Sequence, residues 1–141
     1  MEPSICRSTS TTRNMAKSKL TKAKEISYET KCKVLDRQGN RSITGVMLSP
    51  YNVEFHHVVP RSQSGIGFEW NICAITKEEH RLFHDHCPIP VNGRERYTYL
   101  EFDTLMKNHL KKMYEGWSEY SCRFHKNWSE ADYKVTRREW R

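Results

Sequence analysis

Four imidazoles fall within one short stretch of this chain: His56 and His57 side by side, then His80 and His84 four residues apart. Gathering four such rings costs desolvation and core volume, so a purely structural use is a poor explanation for them. Histidine is the commonest metal ligand and the side chain best matched to proton transfer near neutral pH. A fold that carries this segment has to arrange the rings around a site. His80 and His84 share one face if their segment is helical.

The flanking residues predict such an arrangement. Val53 to Val59 is rich in β-branched and aromatic residues and follows Ser49-Pro50-Tyr51-Asn52, which is turn chemistry. The pattern predicts a strand entering at Val53, with a partner strand near Ile43 to Leu48 in a hairpin. Pro60 lacks an amide donor and ends the ladder. Arg61 to Asn71 contains Ser62, Ser64, Gly65 and Gly67 and reads as a loop. Thr76-Lys77-Glu78-Glu79 has the form of a capping box and opens a helix, with Leu82 and Phe83 as its apolar contacts. Two strands, a loop and a helix would bring His56 or His57 towards His80 and His84.

At this point the segment resembles the HNH endonucleases, over roughly Val34 to Asp85. The His-His pair closes a strand, Asn71 sits in the loop, and His80 and His84 sit on the helix. The spacing is similar to that of colicin-type DNases, and His56-His57-Val58-Val59-Pro60-Arg61-Ser62 is similar to small phage-encoded HNH nucleases. The resemblance implies an α+β fold with a ββα-metal core and flanking helices. It implies one divalent ion (Mg, Mn, Ni or Zn) held by His56, His80 and His84, three ligands that leave positions open for phosphate and water. His57 would be the general base, and Asn71 would tie the loop to the strand end and orient His57. Adjacent strand residues face opposite ways, so His56 and His57 would need a distorted strand end to serve one site. Arg61 and Arg81 read equally as phosphate contacts or solvated surface. The alternative for His84 is a solvent-facing helix residue, and for Asn71 a simple turn residue. His86 reads as a helix-end residue, and His109 and His125 read as structural.

One departure from the family pattern is informative. Many phage HNH nucleases brace the motif with zinc on two CxxC pairs, which would fall near Ser42 and Gly45 and at Thr76 and Glu79 here. None of these is cysteine, and the five cysteines (Cys6, Cys32, Cys73, Cys87, Cys122) form no CxxC. No structural Cys₄ zinc is expected. Packing and the Thr76 capping box would have to substitute. Cys73, within Trp70-Asn71-Ile72-Cys73-Ala74-Ile75, reads as a buried thiol.

Composition bounds the remainder. A chain of 141 residues reads as one domain, and 36% hydrophobic content with mean hydropathy −0.87 gives it a modest core. An odd cysteine count without framework spacing points to a reducing, intracellular setting, the cytoplasm of a bacterial host or a phage product. The N-terminus has no apolar signal-peptide region and no stretch is long enough to span a membrane. A net charge of +7 favours a polyanionic partner, read with the resemblance as double-stranded DNA.

Residues 1–24 carry six basic residues and one acid and are expected to be a disordered arm. Met15 reads as a possible start of its own. Residues 25–116 are expected to form the nuclease domain, with a motif core at 43–86. Within it, Ile26 to Leu35 reads as a short helix, Asp36 to Asn40 as a turn and Pro88 to Gly93 as a loop. Tyr99 to Tyr114 places Leu100, Leu105, Met106, Leu110, Met113 and Tyr114 at helical spacing, with Lys107, His109, Lys111 and Lys112 near solvent and Gly116 as terminator. Residues 117–141 interleave aromatic and basic side chains, either to stack on bases or to cover the core. The function expected is metal-dependent DNA hydrolysis, nicking one strand per site. The competing readings are a catalytically silent nucleic-acid-binding module and a structural zinc protein with Cys73 or Cys87 as fourth ligand.

Overall fold

The computed structural model describes residues 18–91 and 95–139, a mixed α+β arrangement of helices and small antiparallel sheets. The order is α1 (Lys19–Lys24), α2 (Tyr28–Gln38), β1 (Val53–His57), β2 (Ile72–Thr76), α3 (Lys77–His84), β3 (Ile89–Val91), β4 (Glu95–Tyr97), α4 (Tyr99–Met113), β5 (Tyr114–Glu115) and β6 (Thr136–Arg137). Short 3₁₀ turns at Arg61–Gln63 and Glu69–Asn71 punctuate the long connection from β1 to β2.

β1 pairs antiparallel with β2, His56 opposite Cys73 and His57 opposite Ile72. The hairpin expected with Ile43 to Leu48 does not form. That segment is a tight turn, closed by Gly45 N–H to Ser42 O and Ser42 N–H to Val46 O, both 2.8 Å, with Gly45 at φ +91°. Ile72 to Ile75 is the stronger partner because it is apolar on both faces. Ile72 and Ala74 pack on Val34 and Leu35 of α2, while Cys73 and Ile75 join Phe102, Met106 and Leu110 of α4. All five residues of β2 are buried, as a strand between two layers should be. Among the described residues β1 has no partner on its other side, which leaves one edge open.

Other boundaries also shift. α2 runs on to Gln38, through half of the expected turn, and Gly39 caps it in the left-handed region. The expected loop at Pro88 holds β3, which pairs with β4. α4 begins on a Thr98–Glu101 capping box and stops at Met113, handing Tyr114 to β5 before Gly116 is reached. His109 is half-buried rather than near solvent, because it accepts a hydrogen bond from Arg37 Nε at 3.0 Å. The expected disorder of the arm fails over Lys19–Lys24, where Ser18 caps α1; residues 1–17 lie outside the described residues. The C-terminal stretch enters the main core through Cys122 and Tyr133.

Candidate metal centre

β1 and α3 build the cluster. Glu54 and His56 lie two residues apart on β1 and so face the same side, towards α3. His80 and His84 are one turn apart on α3, whose start is fixed by the expected capping box: Thr76 Oγ1 accepts from Glu79 N–H at 3.0 Å, and Glu79 Oε1 accepts from Thr76 N–H at 2.9 Å. One ring nitrogen from each of His56, His80 and His84 lies within 4.8 Å of the others. His56 is 5% exposed and stands edge-on to Phe83, His80 and His84 at centroid distances of 5.0, 5.2 and 5.8 Å. Its Nε2 is buried without a hydrogen-bond partner.

The ring states follow from the neighbours. His80 Nδ1 lies 2.6 Å from Glu54 Oε1, and a carboxylate only accepts, so Nδ1 carries a proton. His80 Nε2 and His84 Nε2 lie 2.9 Å apart. Burial, then repulsion from His80, His84 and His57, pushes the His56 pKa down to about 3. His84 is lowered by burial and by His80. Burial thus holds His56 in the neutral form that binds metal. Sequence reasoning assigned Glu54 no role. The signal was there: Glu54 and His56 sit at strand period 2, on one face.

His57 points the other way, as alternation requires, and its Nε2 lies 2.8 Å from the main-chain oxygen of Lys24. Its pKa is lowered, chiefly by burial and against the effect of the Lys24 carbonyl. Both histidines nonetheless reach one cleft of about 1230 Å³, because the cleft takes in the successive residues of β1 from both faces of its open edge. Arg61 lies exposed at the same cleft, and α4 contributes Lys107, held by Asp103 at 2.9 Å and Glu119 at 3.5 Å. Arg81 is not a cleft residue; it is exposed and pairs with Asp85 at 3.7 Å.

Asn71 is fully buried and staples the loop to the strand end. Its Oδ1 accepts from Val59 N–H at 2.8 Å, and its Nδ2 donates to Val59 O at 3.1 Å and to Ile66 O at 2.8 Å. Its own carbonyl takes Val58 N–H at 2.8 Å, one residue beyond His57. These bonds fix the backbone on which His57 and Arg61 stand.

Three of the four positions at which the HNH resemblance would place cysteines also come together. Ser42 donates to Glu79 Oε1 at 2.5 Å, Thr44 donates to Glu79 Oε2, and Thr76 is bound through its amide. A buried carboxylate with hydroxyl donors thus ties the 42–44 turn to the start of α3. Cys73 and Cys122 are buried free thiols whose pKa burial pushes up to about 12, so neither is a thiolate near neutral pH. Among the described residues the group able to hold a metal contains three histidines and no cysteine. Compared with known proteins, the chain matches no family model, no curated protein and no solved structure.

Proposed function

We propose that this protein is a metal-dependent endonuclease of the HNH type that hydrolyses DNA phosphodiester bonds, with the β1–loop–β2–α3 unit as its ββα-metal core. The observation that carries the reading is the cluster of His56, His80 and His84, one ring nitrogen of each within 4.8 Å of the others, with His56 Nε2 buried and orphaned. An unpaired buried acceptor costs about 1–3 kcal/mol, and a metal bond would remove that penalty. The donors fit a divalent ion: three imidazoles, with Glu54 behind His80 as the carboxylate that commonly orients a ligating histidine. Metal–nitrogen bonds of about 2.0–2.1 Å keep two ligands on one ion within about 4.2 Å. Loading therefore asks for a small inward turn of the rings. When bound, the ion supplies Lewis-acid stabilisation of the phosphate and the departing oxygen.

The protein's own groups perform the rest. His57, whose Nε2–H donates to the Lys24 carbonyl, keeps its lone pair on Nδ1. Nδ1 takes a proton from water as the water oxygen bonds to phosphorus. The bond from phosphorus to the 3′ oxygen breaks, and that oxygen leaves to take a proton from solvent. Arg61 is placed to hold a phosphate oxygen in its planar fork. The net charge of +7 draws the polyanion in. Phe83 and the burial of His56 keep water from the inner side of the cluster.

The test is a metal titration beside cleavage of supercoiled plasmid with Mg²⁺, Mn²⁺, Ni²⁺ or Zn²⁺ and with EDTA. One ion per chain and nicking abolished by EDTA are expected. One ion per chain without cleavage under any metal would replace the nuclease by a nucleic-acid-binding module. Unfolding on chelation would mark a structural zinc protein.

A further inference from the structure

α1 is a short, polar helix with no buried residue of its own, yet its carbonyl end is built into the cleft. The last carbonyls of a helix have no partner inside it. Here two of them are satisfied from the β1–β2 connection and β1 itself. Ala23 O accepts Gly67 N–H at 2.7 Å, and Lys24 O faces His57 Nε2 at 2.8 Å. The approach is close enough that a Cβ on Gly67 would lie 2.0 Å from Glu25 O. Ala23 also packs against the main core, and Glu25 and Ile26 continue the cleft wall.

A neutral imidazole left alone exchanges its proton between the two ring nitrogens. A carbonyl at one of them ends that exchange, because it accepts and never donates. We propose that α1 is the positioning element of His57: its docked carbonyl end sets the Nε2–H tautomer and holds the ring along the cleft. Residues 18–25 thereby control the general base from outside the group of metal ligands. The consequence for turnover rests on the nuclease reading, whereas the state of the ring does not.

The ring is read directly by ¹⁵N-resolved NMR of the histidine nitrogens in the metal-free full chain, with His57 assigned from His57→Gln. The wild type is expected to show His57 in the Nε2–H tautomer alone. Two variants break the contact from opposite sides. Gly67→Ala pushes the 23–25 turn away from the loop, and Ala23→Pro disrupts the last turn of α1 without altering the β1–β2 connection. Each is expected to give a tautomer mixture. In plasmid nicking each should lower kcat by roughly 10- to 100-fold, with KM and metal affinity within about twofold of wild type; that split separates positioning from loss of the site. A mixed or Nδ1–H ring in the wild type would overturn the proposal. So would an unchanged ring in variants whose Gly67 amide has lost its protection from exchange. If one variant does not fold, the other decides. A wild type that cuts no DNA would sink the nuclease reading and leave the ring measurement to decide the role of α1.

Discussion

His56 is a buried polar side chain held neutral, packed edge-on against two other imidazoles, with its Nε2 bonded to nothing. Such a residue makes the metal-free fold worse, not better, since each buried orphan costs about 1–3 kcal/mol. Replacing it with a hydrocarbon of similar size should therefore relieve the fold while removing a ligand. His56→Leu is expected to bind metal at least roughly 100-fold more weakly yet to unfold in urea, without metal, within about 1 kcal/mol of wild type or above it. Strong destabilisation of the metal-free variant would show His56 to be a packing residue. The histidines themselves were legible in the sequence, because strand alternation and the i, i+4 spacing place side chains without knowledge of the rest. The Lys24 carbonyl was not, since a main-chain group carries no residue signature.

At the level of elements, α3 and the 42–44 turn are joined by one carboxylate. Glu79 accepts from Ser42, Thr44 and the amide of Thr76. Removing it uncaps the helix and leaves two buried hydroxyls with only a long 3.4 Å bond to each other. Glu79→Ala is expected to lower stability by roughly 3 kcal/mol, combining a cap of about 1 kcal/mol with unsatisfied donors. Chemical denaturation measures it, and a loss below about 1 kcal/mol would mean that the turn is held by packing alone. The capping box was readable because it is written within four consecutive residues. The pairing of β1 was not, because two apolar segments competed for it and local pattern does not rank them. Ile72 to Ile75 wins by burying side chains against both α2 and α4, a three-dimensional fact. For the same reason the short β3–β4 pair was mistaken for a loop: three-residue strands show too little periodicity to be seen.

Across the whole molecule, the buried Arg37 links the layers. It donates to His109 on α4, to Tyr114 Oη, and to the carbonyls of Glu69 and Ile72, and so ties α2 to α4 behind the cleft. Burial and the Arg37 charge push the His109 pKa down to about 4, from a usual 6.5. As pH falls from 6.5 towards 4, the unfolded chain takes up a proton that folded His109 refuses. Stability is then complete above that window and is lost within it, at up to about 1.4 kcal/mol per pH unit for one proton. His56, also lowered, acts in the same direction. His109→Gln keeps an acceptor for Arg37 and should flatten the loss between pH 6 and 4.5 by about one proton, measured by urea unfolding across pH. An unchanged slope would mean that His109 is already protonated in the fold.

The proposed function belongs to the same scale, for β1, the α3 histidines and the net charge of +7 combine only in the assembled chain. The most direct measurement is the rate of plasmid nicking by His57→Ala beside wild type, each loaded with one metal ion per chain. A loss of about 10²–10⁴-fold with metal binding intact is the result expected for a general base. Equal rates at equal metal loading would contradict the assignment of His57 and, with it, the chemistry proposed for this cleft.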